Sequence, residues 1–196
     1  MRGRLRFGII SLVSKVRELE LRLERAEQQL RLFQRVSRLT TRDMSLEDIL
    51  EHVVELVCEF MACDSCLIYL VEDNELVLCA SNAPTRENLG KVRLKLNEGL
   101  TGWVARERRL LGISRESYND PRFKFFKDLP EDTFEAFLSA PIMSQGKVVG
   151  VINVQHRLAH SHTGSDMELL STIGEQLGSL LALSRITRER VASLPV

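Results

Sequence analysis

From Leu5 to Phe33 the apolar residues recur in alternating steps of four and three, and this constrains the chain more than any other feature. The series runs Leu5, Ile9, Leu12, Val16, Leu19, Leu23, Ala26, Leu30 and Phe33, with no polar interruption at a heptad core position. Such a seam repeats every 3.5 residues and asks for a partner helix. Ile9 and Val16 fall at a, Leu12 and Leu19 at d, and β-branched a with Leu at d favours two parallel strands. Lys15 and Arg22 occupy g, and Glu20 and Glu27 occupy e. In a parallel pair Lys15 faces Glu20 of the partner subunit and Arg22 faces Glu27 of the partner subunit, whereas an antiparallel pair sets like charges together. Each exposed pair adds only a fraction of a kcal/mol, but every sign favours the parallel homodimer. The expected interface is Ile9, Leu12, Val16, Leu19, Leu23, Ala26, Leu30 and Phe33; the alternative is a long helix packed on its own domain. The pattern fails at Ser37 and Thr40, where a hinge or a change of phase is expected.

Charge divides the chain at the same place. Its 196 residues hold 27 Lys plus Arg and 27 Asp plus Glu, for a formal net charge of zero. Residues 1–42 carry a net +7 and the remainder a net −7. The neutral total therefore conceals a basic arm on an acidic body. A solvated coiled coil is the favoured reading of the arm, and neither nucleic acid nor a membrane is expected as a partner. Apolar content of 44% with 28% charged residues suits a chain with a packed core. No uncharged apolar run approaches the ~18–20 residues of a membrane helix. Phe7 to Val13 faintly imitates a signal peptide, but Lys15 follows at once without a small-residue cleavage site. A cytoplasmic location is expected.

Beyond the arm the pattern is mixed. Ser45 with Asp48 resembles a capping box and opens a helix over 46–61. Strand-like runs follow at 65–71 and 75–81 around Glu72-Asp73-Asn74, then at 91–96 and 110–114. Two more, 136–144 and 147–156, flank the tight turn Gln145-Gly146. Ser165 with Glu168 suggests a second capping box opening a helix from 166 to about 190. This order predicts an α+β fold with a largely antiparallel sheet. The domains are expected at 1–40 (coiled-coil helix), 41–190 (globular domain) and 191–196 (tail).

Few side chains suggest chemistry. Cys63 and Cys66 have the spacing of half a zinc site or of a redox pair, but no second pair exists to complete a zinc ribbon. Small hydrophobes at a helix-to-strand junction are the simpler reading. His156, His160 and His162 could clamp a metal ion, since imidazole suits zinc, copper or iron; exposed loop histidines explain them more simply, and no metal site is assigned. Two segments remain. Asn97 to Ala105 (NEGLTGWVA) reads as a strand, a glycine turn and a short helix, with Gly99 and Gly102 allowing close backbone approach. Six of the eleven aromatics lie between Tyr118 and Phe137, mostly in the connection 115–135 with Pro121 and Pro130, which suggests a packed lid over a concave site or a loop merely fastened to the sheet.

These blocks resemble a GAF domain. The resemblance rests on Ala62-Cys63-Asp64-Ser65-Cys66-Leu67-Ile68-Tyr69-Leu70, Glu98-Gly99-Leu100-Thr101-Gly102-Trp103-Val104-Ala105 and Asp120-Pro121-Arg122-Phe123. It continues through Phe137-Leu138-Ser139-Ala140-Pro141-Ile142 and Gly150-Val151-Ile152-Asn153-Val154-Gln155. It spans roughly residues 40–188 and is similar to the amino-terminal GAF domain of nitrogen-type phosphoenolpyruvate-protein phosphotransferases and related bacterial sensors. It implies a GAF-like (PAS-like) antiparallel sheet flanked by helices, preceded here by the coiled-coil helix. It further implies terminal helices over one face and a small-molecule pocket on the other, beneath the crossover segments.

The family's known chemistries fit poorly. No Asn-Lys dipeptide matches the cyclic-nucleotide signature, and no cysteine precedes a histidine for bilin attachment. Thr101 stands where free methionine sulfoxide reductases carry a cysteine. No catalytic residue is assigned, and no cofactor is identified. The candidate ligand-binding residues are Thr101, Trp103, Tyr118, Phe123, Phe126, Ser139 and Asn153. On strand 147–156, strict alternation sets Val149, Val151, Asn153 and Gln155 on one face and Val148, Gly150, Ile152 and Val154 on the other. Asn153 must find a hydrogen bond there, from a ligand, a water or a neighbouring group. The expected function is a non-catalytic sensory or regulatory module, a parallel homodimer that binds a small molecule and relays occupancy through its terminal helices to a downstream signalling protein. The alternatives are a dimerisation and docking module with a vestigial pocket, and a redox or metal sensor.

Overall fold

Helix α1 (Arg2–Leu39) runs unbroken through the heptad segment. The computed structural model describes the backbone of residues 2–39, 44–82, 88–124 and 134–192, and the side chains of 15–27, 29–31, 34–38, 44–82, 88–124 and 134–183. The side chains of Ile9, Leu12 and Phe33, and the whole of Phe126, lie outside these residues. Along the described part of the seam Val16, Leu19, Leu23 and Leu30 are about half exposed or more, between 48% and 61%. The helix does not break at Ser37. Its contact changes phase instead: Val36, at a g position of the heptad, is buried in the core at 2% exposure. Arg35 pairs with Glu59 at 3.1 Å, and Gln29 Nε2 donates to Ser165 Oγ at 2.8 Å. The face of α1 that meets the body therefore differs from the heptad seam, and the described part of the seam is open on a single chain.

Helix α2 (Leu46–Met61) starts as expected: Ser45 Oγ accepts from the Asp48 amide at 3.1 Å and the Asp48 carboxylate accepts from the Ser45 amide. Such a cap contributes about 1 kcal/mol. Its Ile49, Leu50, Val53, Val54 and Val57 form an apolar stripe buried on the sheet. Strands β1 (Ser65–Glu72) and β2 (Glu75–Ser81) meet at Asp73-Asn74, whose φ angles of 48° and 67° are those a two-residue hairpin turn requires. Strand β3 (Arg93–Lys95), helix α3 (Gly99–Glu107) and strand β4 (Leu111–Ile113) follow, then a 3-10 turn at Ser117–Asn119. Strands β5 (Ala136–Ser144) and β6 (Lys147–His156) form the second hairpin, and α4 (Gly164–Ala192) is the last described element. The sheet is antiparallel throughout, in the order β3-β2-β1-β6-β5-β4.

Helices α2 and α4 cover one face, with Ile68, Leu138, Ile142, Ile152 and Val154 beneath them. Helix α3 covers the other, above Leu67, Tyr69, Leu78 and Val151. The seam between α4 and β5 is glycine-lined: a Cβ at Gly178 would stand 1.8 Å from the Met143 carbonyl oxygen, and one at Gly174 2.8 Å from that of Pro141.

Two expectations need correction. The cap of α4 is Thr163 with Asp166, not Ser165 with Glu168: the Thr163 amide and hydroxyl donate to Asp166 at 2.7 and 2.8 Å. The helix starts two residues earlier because an acceptor at the third helical position sits within reach of Thr163. Strict alternation along β6 also fails. Ile142 pairs with Gly150 but Met143 pairs with Val148, so Val149 is a bulge. The extra residue turns Val149 to the α2/α4 face and Val148 to the α3 face. No described helix is long and apolar enough to cross a membrane.

Candidate functional site

Gly99, at φ +67°, turns the chain out of β3 and into α3. Gly102 then lets the first turn press on the preceding loop, since a Cβ there would lie 2.6 Å from the Lys95 carbonyl oxygen. This close approach seats Thr101, 7% exposed, over the middle of the sheet. Beneath it Ser139 of β5 and Asn153 of β6 stand opposite each other across the ladder. Ser139 Oγ donates to Asn153 Oδ1 at 2.6 Å, and Asn153 Nδ2 donates to Thr101 Oγ1 at 2.8 Å. Three of the candidate residues, from three elements, thus form one buried hydrogen-bonded chain.

That chain holds no activated nucleophile. Ser139 gives its hydrogen to an amide oxygen, which is not a base, so its oxygen is not activated as a nucleophile. Asn153 satisfies its neighbours while keeping one N–H and one lone pair in hand. The polar contact that Asn153 required comes from side chains on both sides.

The crossover is tied down by polar latches. Ser117 donates its amide to the Glu135 carbonyl at 3.0 Å and its hydroxyl to that of Phe134 at 2.7 Å. Tyr118 Oη donates to Glu135 Oε1 at 2.9 Å, which pushes the phenol's pKa up because the carboxylate favours its protonated form. Asp120 takes a fork from Arg122 at 2.8 and 2.7 Å, and these bonds hold its carboxyl below the usual carboxylate range. The same guanidinium lies 4.6 Å from the centroid of the Trp103 ring, a cation–π contact that fastens the crossover to α3. Lys124 pairs with Glu98 at the mouth of the same turn. Trp103 and Phe123 are half-buried here, and Tyr118 engages Glu135 rather than the buried chain.

Sequence reasoning passed over Arg122, Asp120 and Glu135. The available signal was Asp120 two residues before Arg122 inside an aromatic loop, a spacing at which a carboxylate and a guanidinium can fork. A shallow groove of about 470 Å³, lined by Asp73, Asn74, Glu75, Lys95, Leu96, Asn97 and Arg106, contains none of the candidates.

Two further clusters lie elsewhere. The sulfurs of Cys58 and Cys63 approach to 3.7 Å, and all four thiols are free. Cys63 donates to Cys58, making Cys58 the most readily ionised, while that donation and burial push Cys63 up. The pair worth noting is thus Cys58 with Cys63, since Cys66 is fully buried in the core. The histidines depart from the loop reading: His156 is 6% exposed at the end of β6, and His160 and His162 close on it.

Known proteins give this geometry a setting. A family model described as GAF domain matches residues 45–181. The phosphoenolpyruvate-dependent phosphotransferase system protein of Salmonella typhimurium is 26% identical over 159 residues, which cover 76% of this chain and 21% of that protein. The Nif-specific regulatory protein of Azospirillum lipoferum is 25% identical over 162 residues, 79% of this chain and 26% of that protein. The chain thus spans about a fifth to a quarter of the length of these curated relatives. Among solved structures, the GAF domain of a phosphoenolpyruvate-protein phosphotransferase from Coxiella burnetii superposes with a TM-score of 0.77 at 26% identity, covering 84% of this chain and 98% of that one.

Proposed function

The chain belongs to the GAF domain family, and from that premise we propose that it is a sensory or regulatory module without catalytic activity of its own. It acts as a parallel homodimer in the cytoplasm, with residues 1–40 as the coiled-coil arm, 41–190 as the GAF domain and 191–196 as a tail. A small molecule binds between α3, the crossover and the sheet, and its presence shifts the terminal helices toward a downstream signalling protein. The relatives support a regulatory role, since one of them is named as a regulatory protein.

The observation that carries the reading is the buried chain Ser139–Asn153–Thr101 under a crossover held by polar latches. Buried polar groups on an otherwise apolar sheet face are what a small-molecule site consists of. A ligand that takes the spare positions of Asn153 exchanges one set of hydrogen bonds for another at little cost. A thermal-shift screen of nucleotides, amino acids and keto acids tests this. A ligand at a hundred times its Kd adds about 2.7 kcal/mol of stability, and the gain disappears in Asn153→Leu. A blank screen across all three classes contradicts the pocket.

The second reading, a dimerisation and docking module with a closed pocket, is favoured by one fact: each of the three polar residues already has a partner among the others. Both readings need the arm. Leu19→Glu with Leu23→Glu is expected to yield monomers in sedimentation while leaving the melting temperature of the body unchanged, because both side chains are exposed on a single chain. An intact dimer in that variant places the association elsewhere.

A further inference from the structure

The connection between β6 and α4 gathers three imidazoles that neither the pocket nor the helix seam uses. His156 ends β6; His160 and His162 follow on the loop before Thr163 caps α4. The ring centroids of His156 and His160 are 4.0 Å apart, and His162 lies 5.3 Å from the first and 5.0 Å from the second. One ring nitrogen from each can be chosen so that all three lie within 4.8 Å of one another. His156 Nε2 and both nitrogens of His162 are buried without a hydrogen-bond partner among the described residues. Unpaired buried nitrogens are costly, and protein interiors seldom leave them so.

We propose that His156, His160 and His162 form a binding site for a divalent transition-metal ion of borderline softness, of the zinc, copper or nickel kind. The donor set decides the class. Three imidazoles without a carboxylate ligand suit these ions and not magnesium or calcium, which require oxygen. Three protein ligands also leave a position open to water or to an outside group. The rings offer unengaged nitrogens: His156 Nε2 and both nitrogens of His162 are buried without a hydrogen-bond partner among the described residues.

Binding requires a small movement. Metal–nitrogen bonds of ~2.0–2.1 Å bring ligand nitrogens closer together than 4.8 Å. The stacked pair, 10° from parallel, must also splay, since each lone pair lies in its own ring plane. His160 can move, because it stands on the loop and only its backbone is pinned, through a 2.9 Å bond from its amide to the Ser114 carbonyl. Asp64 and Asp166 lie near the cluster but are not among the ligand atoms that gather within 4.8 Å. Asp64 accepts from the Arg157 amide at 2.8 Å, and Asp166 is held by the Thr163 cap. Their charge still favours a cation nearby. The site is independent of the pocket reading, and the failure of either leaves the other standing.

The full chain is dialysed against zinc chloride with magnesium in excess, and bound zinc is measured alongside cobalt(II) absorption. The expected result is one zinc ion per chain, a higher melting temperature with zinc, and cobalt bands of low-symmetry nitrogen coordination. His160→Gln is expected to weaken binding by at least about tenfold, on the scale of losses around metal ligands, and His162→Asn by more. His160→Gln changes a loop residue and keeps the fold testable if His162→Asn does not fold. Cys58→Ser with Cys63→Ser is expected to bind as the parent does. The proposal is overturned if the parent takes up no zinc, if His160→Gln binds as tightly as the parent, or if the loss follows the cysteines.

Discussion

The two faces of the sheet are closed by different physics. Under α2 and α4 the closure is apolar and steric: Leu170, Ile173 and Leu177 sit at 0% exposure, and Gly174 and Gly178 bring the helix onto the backbone of β5. Under α3 an apolar cluster that includes Leu78, Val104 and Val151 is joined by polar, piecewise contacts: the buried hydrogen-bonded chain, the Ser117 and Tyr118 bonds, a cation–π contact, a fork and an ion pair. A glycine seam has no intermediate state, because a helix either sits against the carbonyls or leaves. A set of latches can open singly, each for about 1 kcal/mol. The difference marks the face at which the proposed ligand would enter and the face from which the fold takes more of its stability.

The largest expected effect breaks the sealed face. Gly178→Ala places a methyl where the Met143 carbonyl oxygen already stands, and overpacking of this kind costs about 3 kcal/mol. A melting experiment checks it; an unchanged midpoint shows that α4 can lift off freely. Next comes Asn153→Leu, which leaves the Ser139 and Thr101 hydroxyls without their amide and is expected to cost about 2 kcal/mol in denaturant unfolding. If the variant is as stable as the parent, the buried chain was not holding the two layers together.

The sheet and helices were largely legible in the sequence. β5 and β6 read off at their observed ends, because Gln145-Gly146 marks the hairpin, apolar residues fill much of β5 and β-branched residues crowd β6. Ser45 with Asp48 marked α2 for the same local reason. The Val149 bulge was not legible, since alternation offers no sign of where a ladder skips a residue, and it moved Val148 and Val149 to the wrong faces. At the site, Asn153 declared itself as a polar residue in a buried strand. Its partners Ser139 and Thr101 were named as pocket residues, but their pairing with it depends on cross-strand register and on the approach of α3. Arg122 was missed because a charged residue beside an aromatic loop reads as solvated until Trp103 is placed beneath it. The histidines depended on tertiary closure altogether: their spacing suits a loop, and only the return of the chain toward α4 gathers them.

The smaller effects sharpen the latched face. Arg122→Ala removes the fork on Asp120 and the contact over Trp103, and is expected to lower stability by about 1 kcal/mol while raising the rate at which a protease cuts within 115–135. No change in cleavage would mean that the crossover is held elsewhere. The smallest effect is a pH dependence. Asp120 is depressed in the folded protein, so its contribution is present above the ordinary carboxylate pKa of about 4 and is lost as the pH falls through the depressed value. Parent and Arg122→Ala are thus expected to differ at pH 7 and to converge as the pH drops below about 4; a gap that stays constant assigns the effect to Trp103 packing instead.

Amide hydrogen exchange on the full chain, followed segment by segment, tests the contrast itself. The prediction is that α3, Gly99–Glu107, exchanges through local opening at least about tenfold faster than the buried turns of α4 between 169 and 181, which exchange only with global unfolding. If the two helices exchange together at the global rate, the crossover face is as sealed as the other, and the account of a latched face that admits a ligand is contradicted.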